Sequence, residues 1–132
     1  MHKSFLKIAT LLGALSVILG AFGAHSLKQV VSENAVNTFE TGVRYQFYHV
    51  IALLAAGLLY KDFANKWIRN AGRFFIIGII LFSGSLYVLT FFVALVKPAA
   101  SWIGIITPFG GLAFILGWIF LFVGIKKGEK KF

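Results

Sequence analysis

Four apolar blocks decide what this chain can become. They cover about residues 5–24, 43–60, 72–95 and 102–125, and each falls in the range of roughly 17–25 residues that carries a helix across a bilayer. A water-soluble fold of 132 residues could not bury so much apolar surface, because small domains keep a large ratio of surface to volume. Apolar residues make up 59% of the chain and charged ones 13%, with a mean hydropathy of +0.88. In lipid each backbone polar group must find its partner within the protein, which leaves helices or closed barrels. Blocks of this length and continuity predict an all-α protein, a four-transmembrane-helix bundle, with residues 1–132 forming one membrane domain.

Lys3 and Lys7 precede the first block, and Ala21-Phe22-Gly23 offers small residues of the kind found at signal-peptide cleavage sites. The block is nevertheless longer than the apolar core of a signal peptide. Gly13, Ser16, Gly20 and Gly23 or Ala24 form a stripe suited to helix packing. A retained first span is therefore expected. Between His25 and Thr41 the chain turns polar, and Ser26-Leu27-Lys28-Gln29 fits a capping box, with Ser32 before Glu33 as a second N-cap. Leu27, Val31, Ala35, Phe39 and Val43 recur every four residues, which predicts a short amphipathic helical connector between the first and second spans. Lys97 and Pro98 close the third block. Near the start of the fourth, Thr107 either caps a helix whose first residue is Pro108, or Pro108 kinks a helix that begins near Trp102.

The net charge of +9 raises nucleic acid as a partner, but the basic residues form neither one face nor a reading motif, so none is expected. They gather instead at the ends of the apolar blocks. Ten of the thirteen Lys and Arg fall at the N-terminus, in the Lys61–Arg73 loop and in the Lys126–Lys131 tail. The other three are Lys28, Arg44 and Lys97. The positive-inside rule then places both termini in the cytoplasm, in a multi-pass arrangement in the cell membrane. The chain has no cysteine, which removes disulfides, thiolate metal sites and thiol nucleophiles.

Polar side chains inside a span are costly and normally face protein or water. The second span carries them at its mouth and upper half: Glu40, Arg44, Tyr45, Gln46 and His49, beside the small residues Gly42, Ala52 and Ala56. Ser83, Ser85 and Tyr87 place hydroxyls near the middle of the third. With His25, where the first span ends, these nine residues are the candidate intramembrane polar cluster. His25 and His49 could ligate haem or a metal from two helices, yet the expected third ligand is missing and a structural role is the simpler reading. Glu40 and Arg44 lie four apart and could pair across a helical turn. The serine hydroxyls read as interhelical bonds or as bonds to their own preceding turn. Helix packing is assigned to Gly13, Ser16, Gly20, Gly78, Gly84, Gly110 and Gly117. Glu33, Glu40, Asp62 and Glu129 all fall outside the spans or at their edges, which argues against a small proton-coupled exporter.

Gly20-Ala21-Phe22-Gly23-Ala24-His25, Tyr45-Gln46-Phe47-Tyr48-His49, Phe82-Ser83-Gly84-Ser85-Leu86-Tyr87, Ile106-Thr107-Pro108-Phe109-Gly110-Gly111 and Gly117-Trp118 follow one another along the chain. In these motifs and their order the chain resembles the small bacterial membrane proteins grouped as domain of unknown function 423, over nearly its whole length. Small eukaryotic transmembrane proteins of similar layout look like distant relatives. The resemblance implies four helices in the plasma membrane and no assigned activity or functional residue.

The expected function is that of a small integral membrane protein without catalytic residues, cofactor or metal, working through helix and lipid contacts as an accessory or scaffold. Its partners are then the bilayer and either a second copy or another membrane protein. The alternative is an oligomeric transporter or channel subunit with an outward-facing polar cavity near Tyr45, His49 and Ser83. An enzyme or haem-bound redox protein is the third reading.

Overall fold

The computed structural model describes residues 1–95 and 98–128. Lys97, Glu129, Lys130 and Lys131, which the charge argument uses, lie outside the described residues. Four helical segments are long and apolar enough to cross a membrane, and no strand occurs among the described residues. The expected four-helix membrane fold is therefore present.

Helix α1 spans Lys3–Ala24. Its start is capped by His2, whose Nδ1 accepts from the Phe5 amide at 3.4 Å. It ends where the His25 amide turns back to the carbonyls of Ala21 and Phe22. A single short turn follows at Leu27–Gln29, and Ser26 makes no side-chain capping bond there. Helix α2 then runs without a break over Glu33–Leu59, with the Ser32 hydroxyl accepting from the Ala35 amide at 3.3 Å. The connector expected as a separate surface helix is thus one short turn plus the first turns of α2. The reason is Ser32: its cap starts the helix ten residues before hydropathy alone would place the span. Leu27, Val36 and Phe39 bury themselves together beneath this turn and pin it to the bundle.

The third span begins at Asn65, also earlier than the apolar block. Its Oδ1 accepts from the amides of Trp67 at 3.0 Å and Ile68 at 3.1 Å, starting α3 at Lys66–Gly78. Ile79–Ser83 form one π-helical turn, in which the Gly84 amide reaches back five residues to the Ile79 carbonyl. Helix α4, Gly84–Leu95, continues the same span. The fourth begins as a 3-10 stretch at Pro98–Ile105 and becomes α5 at Ile106–Gly128. Thr107 is not the helix cap, whereas the longer helical span that begins near Trp102 is present. The α-helical part starts two residues before Pro108, directly after the 3-10 stretch, so Pro108 sits in its first turn, beside the change of helix type. Thr107 is free to bond elsewhere.

The bundle consists of two antiparallel pairs, α1 against α2 and α3 against α5, with α2 also touching α3 and α4. The main core joins Phe5, Ala9, Leu53, Ala56, Ile68, Phe75, Phe114 and Leu121. Close approach depends on missing side chains. A Cβ on Gly72 would strike the ring of Phe5, and one on Gly110 would strike the backbone of Phe82 in the π turn. At one end the His2 amide bonds the Gly57 carbonyl and Asn65 bonds the Gly124 carbonyl, so the α1 start, the α2–α3 turn and the α5 end share that side.

Candidate functional site

The polar side chains of the second and third spans occupy three places rather than one. Gln46 is buried, and its amide bridges helices. Its Nε2 donates to the Leu12 carbonyl of α1 at 3.1 Å, while its Oε1 accepts from the Tyr87 hydroxyl of α4 at 2.7 Å. One turn earlier the Ser83 hydroxyl, fully buried, donates to the Gly42 carbonyl at 2.6 Å. Gly42 makes room for this crossing, because a Cβ there would meet the Tyr87 ring at 2.8 Å. Gln46, Ser83 and Tyr87 thus hold the third span to the α1–α2 pair.

His49 lies deeper and faces α5. Its Nδ1 is 2.7 Å from the Tyr45 carbonyl, and its Nε2 is 3.1 Å from the Trp118 indole nitrogen. A carbonyl can only accept and an indole N–H can only donate, so the ring is the neutral tautomer with hydrogen on Nδ1. It stacks on Phe114 with centroids 3.5 Å apart and planes 8° from parallel. Both nitrogens are committed to protein. The structural role expected of His49 is thus met by the Tyr45 backbone carbonyl and by Trp118, while Ser83 and Ser85 bond elsewhere.

Ser85 forms the third place. It donates to the Phe82 carbonyl at 2.8 Å and accepts from Thr107 at 2.6 Å, tying the π turn to the start of α5. His25, Arg44 and Tyr45 are exposed, Glu40 is half-buried, and none of their side chains enters the bonds that join helices. His25 at the end of α1 makes no pair with His49. Among the described residues no group of three or more His, Asp or Glu could hold a metal. Nor, among the described residues, does a buried side-chain nitrogen or oxygen lack a partner.

The packing residues are placed as follows. Gly13 and Gly20 face Val50 and Val43 of α2, Gly78 faces Phe114, and Gly117 faces Phe75. Ser16 is buried and donates to its own Leu12 carbonyl at 2.8 Å, sharing that acceptor with Gln46. Gly84 departs from the packing role: nothing lies within 4 Å of where its Cβ would be, since the π turn rotates it away from a neighbour. Sequence reasoning missed Asn65, Trp118, Gly57 and Gly72. An Asn just before a helical run is a readable cap signal, whereas nothing in the spacing points Trp118 at His49.

Two larger hollows open on the surface. One, of about 340 Å³, lies at the end away from the termini, between the Leu27–Gln29 turn and the first turns of α2, with Lys28, Glu33 and Glu40 in its wall. Another, of about 400 Å³, is an apolar groove between α4 and the start of the fourth span; Ser85 is its one member from the polar cluster.

Fold and site together define a small four-helix membrane protein whose interior polar groups bond one helix to another. The comparisons give the same class a family. The family described as "Protein of unknown function (DUF423)" matches residues 19–111. A UPF0382 membrane protein of Haemophilus influenzae is 41% identical, covering 98% of both chains. UPF0382 membrane protein YwdK of Bacillus subtilis is 36% identical over 95% of this chain and 98% of its own. UPF0382 inner membrane protein YgdD of Escherichia coli is 33% identical over 99% of this chain and 96% of its own. The chain belongs to this family of bacterial membrane proteins of unknown function. No solved structure matches it.

Proposed function

We propose that the protein works without catalysis, through helix and lipid contacts, as an accessory or scaffold within the bilayer. One observation carries the reading: the ring nitrogens of His49, its most deeply placed ionisable group, both bond the protein's own helices. Gln46, Ser83 and Ser85 are used in the same way. Groups so engaged hold a bundle together, and they are not free to bind a substrate or pass a proton. The transporter reading needs a cavity bordered by Tyr45, His49 and Ser83, and neither of the hollows described above is lined by any of the three. We orient both termini toward the cytoplasm, on the ten basic residues gathered at that end.

The test is recovery of the full chain from cells after crosslinking, followed by solubilisation in several mild detergents. The expected result is a defined second component, either another membrane protein or a second copy. Recovery of the chain alone in every detergent, with no crosslinked species, overturns the proposal.

A further inference from the structure

At the end that holds the termini, two cations from different spans converge on one aromatic ring. The Lys66 Nζ, at the start of α3, lies 5.4 Å from the centroid of the Trp67 indole. The Lys127 Nζ, in the last turn of α5, lies 4.7 Å from the same centroid. The two ammonium groups are thus at most about 10 Å apart. Each gains from the ring, and two cations gathered around one side chain draw an anion toward the same spot. The surroundings add to the positive field: Arg69 and Lys126 are exposed nearby in sequence, and the first turn of α3 carries no acid. Asp62 is exposed in the preceding turn.

The ring is held in place. Asn65 caps α3 and donates from Nδ2 to the Gly124 carbonyl at 2.9 Å, fixing the start of one helix against the end of the other. Below the lysines an aromatic ladder follows the same seam toward the bilayer centre. Trp67 lies 5.6 Å from Phe120, and Phe120 lies 5.1 Å from Phe74 in an edge-to-face pair. All three rings are half-buried, so each keeps part of its surface exposed.

We propose that the α3–α5 seam is a binding site for an anionic phospholipid, with its phosphodiester between Lys66 and Lys127 and its glycerol and upper acyl carbons along Trp67, Phe120 and Phe74. The profile of the seam, cationic at the rim and aromatic below, matches that of the lipid. A free phosphate would use the lysines alone and leave the ladder without a role. This site does not depend on the accessory role proposed above, and it stands or falls on lipid binding alone.

Native mass spectrometry of the full chain in a mild detergent tests it, with palmitoyl-oleoyl phosphatidylglycerol as the probe and phosphatidylcholine as the comparison. The wild type should retain phosphatidylglycerol in preference. K66Q/K127Q should weaken that binding by about 25-fold, since each lysine near an anionic headgroup contributes about fivefold. K66R/K127R should bind as the wild type does. K3Q/K7Q removes the same charge from α1 and should change binding by less than about twofold. Equal losses in the two glutamine variants would mean diffuse attraction and overturn the site. So would a wild type with no preference for phosphatidylglycerol, or displacement of the lipid by millimolar inorganic phosphate.

Discussion

His49 shows how far a residue can be read before its neighbours are known. Its position in the second span marked it as a buried polar group, and a polar group in hydrocarbon needs a partner. The partner could not be read. Trp118 sits 69 residues away in another span, and helical spacing tells which residues share a face, not which helix that face meets. With the geometry in hand, replacing His49 by Leu leaves the Trp118 N–H unpaired and removes the stack on Phe114. The loss of stability should be about 1–3 kcal/mol, the cost of leaving the N–H of a half-exposed indole without its partner within the bilayer, with membrane values toward the lower end. His49→Gln keeps a donor and an acceptor and should lose less. Trp118→Phe removes the same bond from its other side, so combining it with His49→Leu should cost less than the sum of the two. Thermal aggregation of the four variants and the wild type in one detergent checks this, and equal stability throughout would refute the structural role of the pair.

At the scale of elements, the number and rough position of the spans were legible because lipid demands long apolar runs. Their beginnings were not. Hydropathy records where the hydrocarbon starts, while a helix starts where a side chain caps it, at Ser32 and Asn65. The π turn at Ile79–Ser83 has no counterpart in composition either, and it decides which glycines matter. A Cβ at Gly110 would run into the Phe82 backbone, which cannot swing aside as a side chain can. Gly110→Ala should therefore destabilise the bundle by about 1–3 kcal/mol through overpacking. Gly84→Ala meets open space at a helical backbone conformation and should be neutral, or stabilising by up to about 1 kcal/mol. Melting of both variants in detergent decides the matter; a Gly110→Ala protein as stable as wild type would show that α5 and the π turn can part at little cost.

For the molecule as a whole, orientation is the property the sequence argues most directly. Reporter fusions at the C-terminus and in the turn after Tyr60 should both report cytoplasm, and one between His25 and Ser32 should report the outside. An outside signal from the C-terminal fusion would reverse the orientation or change the number of crossings. The pairing of the helices has a consequence for how such a molecule is made. Gln46 bonds α1 within the first hairpin, and Asn65 and Ser85 bond α5 within the second. Among the described residues, the hydrogen bonds that cross between the hairpins are only Ser83 to Gly42, Tyr87 to Gln46 and Trp118 to His49. Each hairpin can therefore enter the bilayer and close on its own, the first while the second is still being synthesised. His49 must then wait for Trp118, one of the last groups to arrive, so this bond is a late step of assembly and reports that the two halves have met.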